Sequence, residues 1–231
     1  MIYAGIVAGG TGSRMGADVP KQFLEIGGRA IIFRTIDRFL SSDNIDLIYV
    51  AVHSDWIEYT ADLAQKTYSP DELSKIRFIE GGNDRNSSVL RIVERVKNEN
   101  LIEKDDILLT HDAVRPFVTE EIISKNIEFA ANYGICTTAI PATDTILRSY
   151  DGSAIGETLD RSELWQAQTP QSFRVVDFLN AYKNLNCESS ELTDVCGVFT
   201  RSGFQVIIVL GSPSNIKITT PFDLKIAESL I

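Results

Sequence analysis

The amino-acid sequence predicts an α/β fold: a mostly parallel, twisted sheet with helices on both faces. Three observations carry that prediction. Short continuous apolar runs alternate with segments whose apolar residues recur at helical spacing. The first run, residues 2–7, ends in glycines, as a buried parallel strand leading into a loop does. The strand–helix–strand order then repeats through most of the chain, which is the pattern of crossovers on a parallel sheet.

Taken in order, residues 2–7 form the first strand. Residues 30–40 follow as a helix, with Ile32, Phe33, Ile36, Phe39 and Leu40 at helical spacing. Apolar runs at 47–52 and 76–79 are the next strands. Residues 86–97 put Val89, Ile92, Val93 and Val96 on one helix face. Residues 107–110 are a buried strand, 119–133 a helix, 137–142 a β-rich segment and 204–210 a further strand. Thr220-Pro221 opens a last helix, with a cap residue followed by Pro at the first turn. The segment 141–169 breaks the pattern. Residues 145–148 and 154–159 flank Asp151-Gly152, a common hairpin turn pair, so a β-arm is expected at about 141–169. A two-stranded arm is marginal alone in water and gains from packing on a second subunit. A homodimer built on it is therefore expected, the alternative being an excursion folded onto its own domain.

The 231 residues carry no linker-like or low-complexity tract, and one domain over 1–231 is expected. The formal net charge of −10 argues against a nucleic-acid partner, since phosphate neutralisation needs a basic face. The apolar start of the chain lacks a charged leader region and is too short to span a bilayer, so no membrane partner is expected. Three cysteines, Cys136, Cys187 and Cys196, form no CxxC pair, which fits a reducing cytoplasm and excludes a disulfide framework.

In such a sheet ligands bind beyond the carboxyl ends of the strands. The loop after the first strand runs from Ala8 to Lys21, with glycines at 9, 10, 12 and 16. That spacing matches neither GxxxxGK[ST] nor the GxGxxG dinucleotide fingerprint. Glycines let the backbone approach phosphate closely, and Arg14 and Lys21 add two cations to an otherwise acidic chain. The loop is therefore read as a nucleoside triphosphate cradle. Ser88 lies near a helix start, where a hydroxyl and free N–H groups are at hand, and is open to a plain helix-start role. Asp112 ends a buried apolar strand, where a carboxylate is costly unless paired or metal-bound; an internal pair with Arg115 is the other possibility. His111 is read as structural.

The run AGGTGSRMGADVPKQFLEIGG resembles the signature loop of the sugar nucleotidyltransferases, and more closely that of the alditol-phosphate cytidylyltransferases. The resemblance extends through GGNDRNSS at 81–88, HDAVRP at 111–116, Asp144-Thr145, Asp160-Arg161, QTPQ at 168–171, Leu192-Thr193-Asp194 and NIKIT at 215–219. It implies a Rossmann-like nucleotide-diphospho-sugar transferase fold, with CTP and an alditol phosphate as substrates and Mg²⁺ as cofactor. By the same resemblance Arg14, Lys21 and Lys217 are catalytic cations. Ala8, Gly9, Gly10, Gly12, Gly82, Asn83 and Ser88 would bind CTP. Asp112, Arg115, Thr145, Arg161, Thr169 and Thr193 would serve the acceptor, Asp112 also contacting the metal. Thr145 and Arg161 would reach the neighbouring subunit's site; a surface salt bridge is the alternative for Arg161, and a surface lysine for Lys217.

Within that family the opening MIYAGI, the segment HSDW at 53–56 and the stretch LTDVC at 192–196 look closer to the ribitol 5-phosphate branch than to the 2-C-methyl-D-erythritol 4-phosphate branch. Ala113-Val114 is a mixture of the two. A dinucleotide-dependent oxidoreductase is disfavoured by the glycine spacing. A non-catalytic nucleotide-binding protein is disfavoured by the presence of all three cations.

Overall fold

The computed structural model describes residues 1–10, 19–183 and 194–231. The chain begins with β1 (Ile2–Ala8), followed by a small hairpin of β2 (Glu25–Ile26) and β3 (Arg29–Ala30), and α1 (Ile31–Leu40). Next come β4 (Leu47–Val52), α2 (Ile57–Thr67), α3 (Pro70–Ser74), β5 (Ile76–Glu80) and α4 (Arg85–Glu99). Then follow β6 (Ile107–Asp112), α5 (Glu120–Tyr133) and β7 (Ile135–Pro141). A second hairpin pairs β8 (Leu147–Arg148) with β9 (Glu157–Thr158). The chain ends with β10 (Trp165–Arg174), α6 (Val175–Lys183), α7 (Val195–Arg201), β11 (Ile207–Leu210) and α8 (Pro221–Ser229).

Among the described residues the main sheet has seven strands in the order β11-β7-β10-β6-β1-β4-β5. All neighbouring pairs are parallel except those made by β10, which runs antiparallel between β6 and β7. Alternate strand residues feed two apolar layers. Ala4, Ile6, Ile48 and Val50 pack with α1 and α5 on one face. Tyr3, Tyr49, Leu108 and Phe173 pack with α4, α6 and α7 on the other. The mostly parallel, two-faced sheet expected from the sequence is the one observed. No helix among the described residues is long and apolar enough to cross a membrane.

Several boundaries differ from expectation. The segment 141–169 is not one arm: its ends belong to the main sheet, as β7 to Pro141 and β10 from Trp165. Only the stretch between them forms the hairpin, in which Leu147 pairs with Thr158 and Arg148 with Glu157. Asp151-Gly152 is not a two-residue turn. It sits within a wider loop where the Asp151 carboxylate accepts from the N–H groups of Ser153 and Ala154, and Gly152 takes φ +76°. The strand expected at 204–210 starts at Ile207. Phe204 instead packs edge-on against Phe199, and its N–H closes the end of α7 on the Phe199 carbonyl. Thr119 caps α5 rather than joining it, accepting from the Ile122 N–H. The β2–β3 hairpin, the helices α2, α3, α6 and α7 and the strand β10 are not among the elements that the sequence predicts.

Candidate active site

The carboxyl ends of β1, β5 and β6 meet at a cavity of about 240 Å³. Its wall combines the start of the first loop, the β5–α4 turn, the end of β6 and the segment before α8. Of the residues singled out by sequence, Ala8, Gly9, Gly10 and Lys21 line it from the first loop. Gly82, Asn83 and Ser88 line it from the β5–α4 turn, and Asp112 and Lys217 from the far side. Gly12, Arg14 and Thr193 lie outside the described residues.

The first loop is fastened at its base by Gln22. This buried side chain donates from Nε2 to the carbonyls of Ala8 at 2.9 Å and Gly10 at 3.1 Å. Lys21 and Gln22 share a 3-10 turn, Lys21–Phe23, and Phe23 is clasped by the rings of Trp56 and Tyr59. The loop packs so closely on the next motif that a Cβ on Gly9 would stand 3.3 Å from the Ser88 hydroxyl. At Gly82 a Cβ would lie 2.3 Å from the Ser87 hydroxyl, so only glycine fits. Ser88 holds this turn from within: its hydroxyl accepts from the Gly82 N–H at 3.0 Å and donates to the Asp84 carbonyl at 2.8 Å. Asp84 caps α4 reciprocally with Ser87.

Asp112 is the electrostatic centre. Its carboxylate is nearly closed off from solvent and faces three cations. Arg85 Nε donates to Oδ1 at 3.0 Å, Lys217 Nζ stands 2.9 Å from Oδ2, and Arg115 Nε is 3.4 Å from Oδ2. Burial raises the carboxyl pKa, but the combined charges of Arg85, Lys217 and Arg115 outweigh it and hold the group well below the usual carboxylate range. Lys217 is brought there by a bond from the Ile218 N–H to the Val114 carbonyl, which lays its segment beside the β6 loop.

Behind Asp112 lies a buried framework. Thr169 Oγ1 accepts from the Asp112 N–H and bonds His111 Nδ1, while His111 Nε2 bonds the Arg115 carbonyl. The consistent assignment has the Thr169 hydroxyl donating to Nδ1 and Nε2–H donating to the carbonyl. Arg115 Nη1 donates to the Asn215 carbonyl at 2.7 Å, and Arg115 and Thr169 do not line the cavity. The geometry therefore matches the internal-pair alternative for Arg115. Thr145 and Arg161 are exposed residues of the hairpin segment and also lie off the cavity wall; Arg161 Nη1 donates to the Thr143 carbonyl. Arg85 is the residue that sequence reasoning missed. It stands inside the GGNDRNSS motif, and its signal was a lone cation directly after a capping Asp in an acidic chain.

No group of three or more His, Cys, Asp or Glu side chains among the described residues is arranged to hold a metal. Asp112 is a single carboxylate. Both of its oxygens already meet cations, so it could hold Mg²⁺ only in exchange for one of those contacts; the ion takes one or two carboxylates and completes its shell from substrate phosphates and water.

The family model described as IspD, 2-C-methyl-D-erythritol 4-phosphate cytidylyltransferase, matches residues 2–231. A ribitol-5-phosphate cytidylyltransferase from Streptococcus pneumoniae (strain ATCC 700669 / Spain 23F-1) is 46% identical over 233 aligned positions, covering 100% of this chain and 99% of that protein. The structure of the 2-C-methyl-D-erythritol 4-phosphate cytidylyltransferase of Francisella tularensis superposes with a TM-score of 0.81 at 29% identity, covering 100% of this chain and 99% of that one. The 4-diphosphocytidyl-2C-methyl-D-erythritol synthase of Anaerococcus prevotii DSM 20548 superposes with a TM-score of 0.80 at 28% identity, covering 100% and 95%. With its Gly-rich loop, its Asp112-centred cations and a match running from end to end, the chain belongs to the IspD family of cytidylyltransferases.

Proposed function

We propose that this cytidylyltransferase transfers the cytidylyl group of CTP to D-ribitol 5-phosphate, forming CDP-ribitol and pyrophosphate. The observation that carries the acceptor is the end-to-end 46% identity to a ribitol-5-phosphate cytidylyltransferase. In the reaction a phosphate oxygen of the alditol phosphate attacks the α-phosphorus of CTP. The new P–O bond forms as the bond to pyrophosphate breaks, and no general base is required because the attacking phosphate is already ionised. Lys21, Lys217 and Arg14 would stabilise the charge that builds up, so catalysis is positioning plus electrostatics. Backbone at Ala8, Gly9, Gly10, Gly12, Gly82 and Asn83, with Ser88 behind it, would hold the nucleotide. Mg²⁺ would be held mainly by substrate phosphate oxygens, whose charge it would offset, with Asp112 joining in exchange for a cation contact on Oδ2.

On the acceptor side, Asp112 faces the cavity, while the buried bonds of Arg115 and Thr169 support a role in holding Asp112 in place. Thr193 belongs to the same reading. Thr145 and Arg161 fit a site shared between subunits, in a cytoplasmic homodimer joined through the β8–β9 hairpin, each chain acting as one domain. Exposed Leu147, Tyr150 and Ile155 on that segment support the association.

A pyrophosphate-release screen crossing CTP, UTP, GTP and ATP with ribitol 5-phosphate and 2-C-methyl-D-erythritol 4-phosphate tests the reading. Release is expected with CTP and ribitol 5-phosphate. Release only with the methylerythritol acceptor would reverse the acceptor assignment, and no release in any pairing would end it.

A further inference from the structure

Arg85, which lines the cavity, leaves two hydrogen-bond donor groups unmet among the described residues. It occupies the first position of α4, directly after the cap Asp84 that ends the nucleotide-side turn, yet its side chain reaches across to the end of β6. Nε is anchored on Asp112 Oδ1. Nη1 and Nη2 are shut off from solvent and meet no hydrogen-bond partner among the described residues. A buried guanidinium with two unmet amino groups is costly, so native structures rarely leave one without a ligand or water to complete it. The side chain as a whole lines the cavity, where Arg115 does not.

Charge distribution says which ligand completes it. The nucleotide side of the cavity is mostly backbone and small side chains, suited to a base and ribose. The Asp112 side holds two cavity-lining cations, Arg85 on Oδ1 and Lys217 on Oδ2, set on the two oxygens of one carboxylate. A planar fork with two parallel N–H donors matches a phosphate group bidentately, which the single ammonium of a lysine does not.

We propose that Arg85 is an acceptor-binding residue, with Nε fixed on Asp112 and the Nη pair taking phosphate oxygens of the alditol phosphate. This rests on the reading of the chain as an alditol-phosphate cytidylyltransferase. It moves the guanidinium that meets the acceptor from Arg115 to Arg85.

The test is steady-state kinetics of pyrophosphate release by wild type, Arg85→Lys and Arg85→Gln, varying each substrate with the other saturating. Arg85→Gln is expected to raise KM for ribitol 5-phosphate at least tenfold while KM for CTP changes less than threefold. Arg85→Lys should fall between, because it keeps the charge beside Asp112 but loses the fork. Thermal melts of the three proteins report folding, and the Lys variant keeps the comparison usable where the Gln variant melts early. Equal rises in both KM values, or a fall in kcat with both KM values unchanged, would mean that Arg85 only braces Asp112 and would overturn the proposal. Inactivity of the wild type with ribitol 5-phosphate is a different failure: it removes the acceptor assignment. The same three proteins assayed with 2-C-methyl-D-erythritol 4-phosphate then decide on Arg85 by the same criterion.

Discussion

Residue chemistry at this site turns on two buried groups that share a backbone. Asp112 and His111 are neighbours at the end of β6, and both are perturbed in the same direction for different reasons. Three cations keep Asp112 ionised; burial above all, helped by the charges of Arg115 and Arg85, keeps His111 neutral, pushing its pKa down to about 4. A histidine whose folded pKa lies below the unfolded value of about 6.5 stabilises the fold fully above that value. The contribution is lost as pH falls from about 6.5 toward 4, because the unfolded chain takes up the proton first. Asp112 adds nothing to the slope in that window, since its folded and unfolded forms are both largely ionised there until pH nears the usual carboxylate range. Urea unfolding between pH 7.5 and 4.5 should therefore show a loss on the order of 3 kcal/mol assignable to His111. His111→Gln should flatten that component, and an unchanged slope would remove His111 as its source. Arg85 and Arg115 make the complementary point about what a sequence conceals. Both stand in conspicuous motifs, and nothing local says which guanidinium faces the cavity. That depends on Arg115 being drawn under Asn215 and Arg85 being turned toward a carboxylate 27 positions away.

At the scale of single elements, α4 does most to join the two substrates. Its start is a capping box, Asp84 with Ser87, and its next turns carry Arg85 toward Asp112 and Ser88 under Gly82. Val89, Ile92, Val93 and Val96 bury the opposite face in the sheet, so the helix end cannot drift without disturbing the core. Asp84→Ala removes the cap and should cost about 1 kcal/mol. In a chain of this length that is roughly 2–4 °C in Tm. Because the cap also sets the pitch of the Gly82–Asn83 turn, KM for CTP should rise together with the fall in Tm. A normal KM for CTP with a lowered Tm would separate the cap from the nucleotide site. This helix was legible in the sequence, since the apolar i, i+3, i+4 pattern is a local signal. β10 was not. Its pairing partners, β6 and β7, are distant in sequence and run opposite to it. Its apolar content is thin, because Gln168, Thr169, Gln171 and Ser172 are buried as hydrogen-bonding members of the site framework.

The whole molecule is a sheet that feeds one cavity, with a small hairpin set between β7 and β10. The hairpin has only two paired positions and exposes Leu147, Tyr150 and Ile155. An isolated pair of strands this short is marginal in water. Replacing residues 143–163 by a short Gly/Ser linker should convert the proposed dimer to monomer in gel filtration with in-line light scattering. It should also lower activity more than CTP binding, because Thr145 and Arg161 leave with the hairpin. An unchanged mass would rule out the hairpin as the interface. The edge position of β11, where Ile208 and Leu210 are exposed, would then be the next surface to alter.

By itself, the sequence determined the alternation of strand and helix, the apolar faces, the glycines at the strand ends and several of the motifs whose residues line the cavity. These are encoded locally, in periodicity, in caps and in the need of a close backbone approach for glycine. Only the tertiary structure decided the antiparallel insertion of β10, the limits of the hairpin and the division of labour around Asp112. Those depend on long-range pairing and on which cation reaches a buried carboxylate, and neither leaves a periodic trace along the chain.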